Sequence, residues 1–262
     1  MSAFEPINPD HAIAAVAFSV NFNRPLEVGE IATARKIEPE VKDFLPGITL
    51  IPRDPPRPPL PWSPVIIGFM LHRVRPDGQP AWVLTAHQNS IVVQCAEYTR
   101  WADVWGRVRT WLMKLHNLVK RSDLFITSVN LQYKDQFSAP KPLDSDVLEK
   151  LFKVDSQYIP SRTFNNKELW HINQGWYLPE TTPMIGNKLN VLNIATSEFG
   201  NSIVLVIDHL ARFQLDNPSE LFSDCGDRAP IDVVMEELHV QNKFLLRNLL
   251  SAQMARRIRL DG

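Results

Sequence analysis

Cysteine and glycine are scarce in this sequence, and each shortage argues against a class of site. The two cysteines, Cys95 and Cys225, have no CxxC spacing, and no histidine follows either of them at zinc-finger spacing. We therefore expect neither a disulfide framework nor structural zinc. The ten glycines form neither GxxxxGK[ST] nor GxGxxG, so no phosphate-binding loop of a kinase or P-loop enzyme is predicted.

Long apolar runs and an excess of one charge are absent as well. No run of about 18 apolar residues exists, and the opening "MSAFEPINPDHAIAAVAFSV" places acidic residues and prolines ahead of its apolar segment, unlike a secretory signal. The balance of 28 Lys and Arg against 29 Asp and Glu gives no overall attraction to nucleic acid or to an anionic membrane. We expect a cytoplasmic protein that does not associate with membranes.

Recognisable catalytic arrangements are missing too. The seven histidines form no HxH, HExxH or HxxxH pair, and no GxSxG motif is present, so the sequence predicts no metal, no cofactor and no catalytic residue. The best acidic cluster combines Asp208, near the end of a predicted strand, with Glu236 and Glu237 on the following helix. These carboxylates could hold a divalent ion in a nucleic-acid-processing enzyme, but exposed structural positions are the favoured interpretation.

The 262 residues are 44 % apolar, enough to bury a core without metal or disulfides. We expect a single α+β domain over residues 1–262, in two halves of about 1–140 and 141–262. Seven of the 21 prolines fall within residues 52–64. This segment is interpreted as a stiff extended loop, and its PxxP spacing leaves recognition by an aromatic groove as the alternative.

Apolar periodicity predicts the order strand, helix, three strands, helix, strand, helix, three strands, helix. Asp77-Gly78 and Gly200-Asn201 mark hairpin turns between successive strands. The last helix, from Pro230 onward, is long and amphipathic, with an inward edge formed by Val234, Leu238, Leu245 and Leu249. This order predicts a largely antiparallel sheet in two halves, with the helices packed on one face and a long C-terminal helix.

The helix predicted within "TRWADVWGRVRTWLMKLHNLVKRSD" has two different sides. Its apolar side carries three tryptophans among aliphatic residues, which favours core packing over a base-stacking site. Its polar side carries Arg107, Lys114 and Arg121 at intervals of seven, here called the cationic stripe. Such a stripe can contact phosphates, although most are solvated helix faces.

The stretch "FITSVNLQYKDQF", residues 125–137, alternates with a period of two and predicts a strand with one buried side. Its odd positions are mainly apolar, whereas its even positions include Asn130, Gln132 and Lys134. Neutral hydrogen-bonding groups with one cation suit an adaptable, wet interface, and simple solvent exposure is the alternative.

Three segments, "PDHAIAAVAFSVNF", "LQYKDQF" and "IVLVIDHLARF … MEELHVQNKFLLRNLLS", resemble a sporadically distributed bacterial family of uncharacterised proteins of similar length, catalogued under a numbered heading. The resemblance spans nearly the full chain and implies no catalytic residues. Its patchy distribution implies accessory genes in mobile-element or defence-related loci. Where the family pattern has Arg, Asn and Arg around its central Tyr, this chain has Gln132, Asp135 and Gln136 around Tyr133, which argues against an inherited anion site.

A non-enzymatic binding or assembly protein is therefore the predicted function, and a product of a neighbouring gene or a second copy of the chain is its expected partner. The candidate contact residues are Asn130, Gln132 and Lys134. The alternative is a protein that binds or processes nucleic acid through Arg107, Lys114 and Arg121, with Asp208, Glu236 and Glu237 as its metal site.

Overall fold

A computed structural model describes residues 3–53, 65–142, 145–165, 168–178, 186–219, 221–222 and 229–260. The proline-rich loop, apart from its first two residues, lies outside this description. The strands are β1 (Glu5–Pro6), β2 (Ile13–Phe22), β3 (Gly47–Pro52), β4 (Ile66–Val74), β5 (Pro80–His87), β6 (Ser90–Cys95), β7 (Ile126–Pro140), β8 (His171–Leu178), β9 (Gly186–Phe199) and β10 (Ser202–Ser219). The helices are α1 (Val28–Ala34), α2 (Glu38–Val41), α3 (Trp101–Val119), α4 (Ser145–Leu151), α5 (Pro230–Leu249) and α6 (Ala252–Arg257).

The ten strands form one antiparallel sheet in the order β3-β4-β5-β6-β2-β7-β10-β9-β8, and β1 pairs with β7 beyond the end of β2. The order reflects a repeated path along the chain. In the first repeat, β2 is followed by α1 and α2, the chain reaches the sheet edge at β3, and β4, β5 and β6 return to the centre before the long helix α3. In the second repeat, β7 is followed by α4, the chain reaches the other edge at β8, and β9 and β10 return to the centre before the long helix α5. The two central strands pair with each other and join the repeats, which confirms an antiparallel α+β fold.

The helices pack on one side of this sheet. In β2, the alternate residues Val16, Phe18 and Val20 are buried against α1 and α3 in one apolar cluster. A second cluster joins α4 and α6 to β9 and β10. Helix α5 contributes to both clusters, with its first half in one and its second half in the other. The predicted inward edge of α5 is confirmed, because Val234, Leu238, Leu245 and Leu249 are all buried.

The tryptophans of α3 lie in the core, as predicted. Trp105 and Trp111 are buried, and Trp101 and Trp105 stack on the ring of Phe18. Their indole N–H groups reach carboxylates on α5: Trp101 Nε1 donates to Glu236 at 2.7 Å, and Trp105 Nε1 donates to Asp232 at 3.1 Å. A buried indole needs such an acceptor, so these acidic residues help to fix α3 against α5.

The structure differs from the sequence expectation at the edge of the sheet and at the C-terminal helix. Strand β3 was not predicted; it is an edge strand, where Pro52 removes no hydrogen bond needed by a further strand. The C-terminal helix is long but ends at Leu249 instead of continuing, because Leu250 bridges to Phe152 and Ser251 starts a separate helix. No helix of the described residues combines the length and apolar character needed to cross a membrane.

Ser251 caps α6, and its loss should weaken the C-terminal packing. Its Oγ accepts a hydrogen bond from Met254 N at 3.1 Å and donates one to Lys150 O at 2.5 Å, joining α6 to α4. We expect Ser251→Ala to lower the free energy of unfolding by about 1 kcal/mol, the usual cost of losing a cap. Urea denaturation measures this change, and Ser251→Thr, which keeps a hydroxyl, should restore most of the loss.

Candidate functional site

The side of the sheet that faces away from the helices is the first candidate surface, here called the open face. The core-cluster residues of the central strands β2, β7 and β10 point to the other side of the sheet, where the described helices pack. The open face is built mainly by these central strands. Their side chains on this face include Ala15, Ala17, Ser19, Asn21, Ser128, Asn130, Gln132, Lys134, Val206, Asp208, Leu210 and Arg212.

The predicted alternation of β7 is confirmed, and its polar residues lie on the open face in a hydrogen-bonded belt. Asn130, which is 7 % exposed, donates to Ser19 Oγ at 2.6 Å and accepts from Arg212 Nε at 2.8 Å. Gln132 Nε2 donates to Asp208 Oδ1 at 2.7 Å, while Lys134 Nζ lies 3.9 Å from Asp208 Oδ2. Lys134 has the most exposed side chain of the three, at 54 %. The belt holds these groups in defined positions before any partner arrives.

A depression of about 310 Å³ lies on the open face across β5, β6, β2 and β7, beside the turn between β4 and β5, whose Arg75 also lines it. Ala15 and Ala17 of β2 line its floor, and Gln94 of β6 and Gln132 of β7 flank Ala17 in the pairing register. Small side chains between longer ones create the hollow. Lys134 also lines it, so two of the three predicted contact residues border the same concavity.

The cationic stripe is not one continuous helix surface. Arg107 lies over the ring of Phe44 at 3.7 Å, and Lys114 forms an ion pair with Glu40. Helix α3 ends at Val119, so Arg121 belongs to the following turn, where it donates to Lys120 O at 2.9 Å. Two of the three cations are therefore engaged by the segment between α1 and β3.

The acidic residues considered as a metal site do not converge. Asp208 lies on the open face, whereas Glu236 and Glu237 are on α5, across the sheet. Glu236 accepts from Trp101, and Glu237 forms an ion pair with Lys188. No group of three His, Cys, Asp or Glu side chains within the described parts of the chain could hold a metal ion. The hypothesis of a metal site at Asp208, Glu236 and Glu237 is therefore wrong, because the Asp208 side chain points to the side of the sheet opposite α5.

A second candidate surface lies on the helix side, where a cavity of about 880 Å³, here called the central cavity, opens beside β7. It is bounded by residues 8–13, the start of α3, the middle of α5 and residues 258–260. The two central strands and both long helices meet there, so the cavity lies between the two repeats. Its titratable lining includes His11, Tyr98, Tyr133, Asp135 and His239.

Ring contacts hold the walls of the central cavity in place. Tyr133 Oη lies 2.9 Å from His239 Nδ1, and the His239 ring stacks on Trp101 with centroids 4.2 Å apart. Tyr98 meets Tyr133 edge to face at 6.2 Å. Burial lowers the pKa of His239 to about 4 and raises the pKa of Tyr98 to about 12, so both side chains are neutral at pH 7.

Asp135 is the exceptional group of the central cavity. It is 1 % exposed, and its Oδ2 has no hydrogen-bond partner among the described residues. Burial raises the pKa of its carboxyl to about 7. The sequence analysis assigned no site role to Asp135. A signal existed, because Asp135 lies at an odd position of the alternating strand, on the side that faces the core, where a carboxyl is unusual.

Comparison with known proteins gives no assignment for either surface. No family model matches the chain, and no curated protein shows significant similarity to it.

Proposed function

We propose that the chain is a non-enzymatic binding or assembly protein that engages a protein partner on its open face. The observation that carries this proposal is the depression over Ala15 and Ala17, bordered by the ordered amide of Gln132 on a sheet face that no described helix covers. A projecting side chain of a partner fits a hollow of about 310 Å³. The surrounding amides offer it neutral hydrogen bonds, as in wet protein interfaces.

The charge pattern of the open face favours protein over nucleic acid. On the central strands, Lys134 lies 3.9 Å from Asp208, and Arg212 is already bonded to Asn130. Nucleic-acid affinity depends on several cations that release counterions from phosphates. The cationic stripe adds little, because Arg107 and Lys114 are engaged by Phe44 and Glu40.

Filling the depression should abolish partner binding without unfolding the chain. Ala17 lies on a central strand, and tryptophan is well tolerated in strands, so Ala17→Trp should occupy the hollow at small cost to stability. We expect binding of the co-expressed products of neighbouring genes to weaken by at least about tenfold, or about 1.4 kcal/mol. Tandem purification followed by titration calorimetry measures this loss.

Ala32→Trp is the matched control, because Ala32 is exposed on α1, on the helix side. It should leave partner binding unchanged. If the chain stays monomeric in light scattering and no neighbouring product co-purifies, the proposal fails. If the partner is a second copy, Ala17→Trp should convert a dimer to a monomer. Partner binding that survives Ala17→Trp but is lost in Ala32→Trp would move the interface to the helix side.

A further inference from the structure

The central cavity contains a buried carboxyl that no described residue neutralises. Asp135 is fully buried beside a cavity of about 880 Å³. Burial is the single cause that raises the pKa of its carboxyl, and no described cation lowers that pKa again. A buried acidic group normally finds a cation or several donors, because desolvation without a partner is costly. Such a group facing a cavity is a marker of a binding site.

We propose that the central cavity binds a small organic amine whose ammonium group donates hydrogen bonds to the Asp135 carboxylate. The bound cation would supply the partner that Asp135 Oδ2 does not find among the described residues. A charge-assisted N–H to carboxylate bond is stronger than a neutral one. This site is separate from the open face, because Asp135 points to the helix side of β7, and it does not depend on the proposed partner.

The walls around Asp135 suit an organic cation better than a metal ion. Tyr98 and Tyr133 line the cavity with aromatic rings, and an ammonium group is attracted to the faces of such rings. The imidazole of His239 is partly buried, stacked on Trp101 and engaged with Tyr133 Oη. No group of three His, Cys, Asp or Glu side chains among the described residues, with or without Asp135, could hold a metal ion.

The dimensions and rim of the cavity fit a small molecule rather than a peptide chain. A volume of about 880 Å³ is within the usual range of ligand pockets, about 300–1,000 Å³. An ion pair between Arg259 and Asp10, with 2.7 Å between nitrogen and oxygen, lies at the rim. The rim thus joins the C-terminal end of the described chain to its N-terminal segment.

The test uses the full chain with benzylamine and putrescine as probes and benzyl alcohol as the neutral analogue of benzylamine. Titration calorimetry and amide shift perturbation in NMR spectra measure binding. We expect at least one amine to bind, with shifts confined to the cavity lining, and benzylamine to bind at least about tenfold more tightly than benzyl alcohol. Asp135→Asn, which keeps the side-chain shape and removes the charge, should abolish this preference.

Asp43→Asn is the matched control, because Asp43 is exposed and does not line the cavity, and it should leave amine binding unchanged. Tyr98→Phe keeps the ring and should weaken amine binding only a few-fold, which gives a second variant if Asp135→Asn does not fold. Equal binding of amine and alcohol, amine binding that persists in Asp135→Asn, or absence of binding by both amines would overturn the proposal.

Discussion

Asp135→Asn should stabilise the protein relative to the parent chain as the pH rises. Burial raises the pKa of Asp135 from 3.8 to about 7, so between these values the unfolded chain has released this proton while the folded chain keeps it. Stability therefore falls with rising pH across this window, by about 1.4 kcal/mol per pH unit. Asparagine does not titrate. The difference in unfolding free energy between variant and parent should grow by roughly 3 kcal/mol from about pH 5 to about pH 8.

The titratable neighbours of Asp135 do not alter the expected fall in stability with rising pH. Burial lowers the pKa of His11 and of His239, so neither supplies a cation near neutral pH. Burial also raises the pKa of Tyr98 and of Tyr133, so neither hydroxyl ionises in the range used. The charged groups elsewhere on the cavity lining are Asp10, Arg100, Lys243 and Arg259. They are present in both the variant and the parent protein, so only their interaction with Asp135 itself enters the difference between the two.

Urea denaturation at the two pH values, without added amine, measures this prediction. Asp43→Asn serves again as the control, since an exposed substitution should change the free energy by less than about 0.5 kcal/mol at either pH. A difference between Asp135→Asn and the parent that stays constant with pH would show that Asp135 ionises normally in the folded chain. An added amine should stabilise the parent and leave Asp135→Asn unaffected.

Periodicity allowed most of the fold to be predicted, and the exceptions have physical causes. The alternation of β7 and the 3.6-residue pattern of α3 each assign one side to the core, and both sides are as predicted. Strand β3 has no such pattern, because none of the residues of this edge strand is buried. The end of α5 at Leu249 depends on a bridge to Phe152, which is distant in sequence, and no local proline or glycine marks it.

The candidate sites were harder to predict because they depend on which side of the sheet each strand residue faces. Strand β10 is apolar on both sides, with Ile203, Leu205 and Ile207 facing the helices and Val204 and Val206 facing outward. Its sequence therefore did not reveal which face receives Asp208, and the metal-site hypothesis assumed the wrong one. The central cavity gave no local motif either, since its lining comes from five separate segments. Asp135 alone broke the pattern of its strand.

Arg24→Met should destabilise the protein by about 3 kcal/mol, because removing one partner of a buried ion pair leaves the other charge buried and unpaired. The Arg24 guanidinium donates to both oxygens of Glu30 at 2.9 Å, and the Glu30 side chain is only 5 % exposed. Glu30 Oε2 also accepts from Glu27 N at 2.7 Å at the start of α1. Without Arg24, that backbone bond would be the main remaining stabilisation of the carboxylate.

The pH dependence of this loss identifies Glu30 as its source. Hydrogen bonding to Arg24 lowers the pKa of Glu30 below 4.5, so the pair stabilises the folded chain above that pH and its contribution disappears as the pH falls through the folded value. The difference in unfolding free energy between Arg24→Met and the parent should therefore shrink in acid, in urea titrations at about pH 7 and about pH 4.

Arg35→Met removes a more exposed pair with Glu38 and should cost less than about 0.5 kcal/mol. The double variant Arg24→Met with Glu30→Met should recover much of the loss, because neither change then leaves a buried charge without its partner. A double variant as unstable as Arg24→Met alone would instead assign the loss to the packing of the arginine stem.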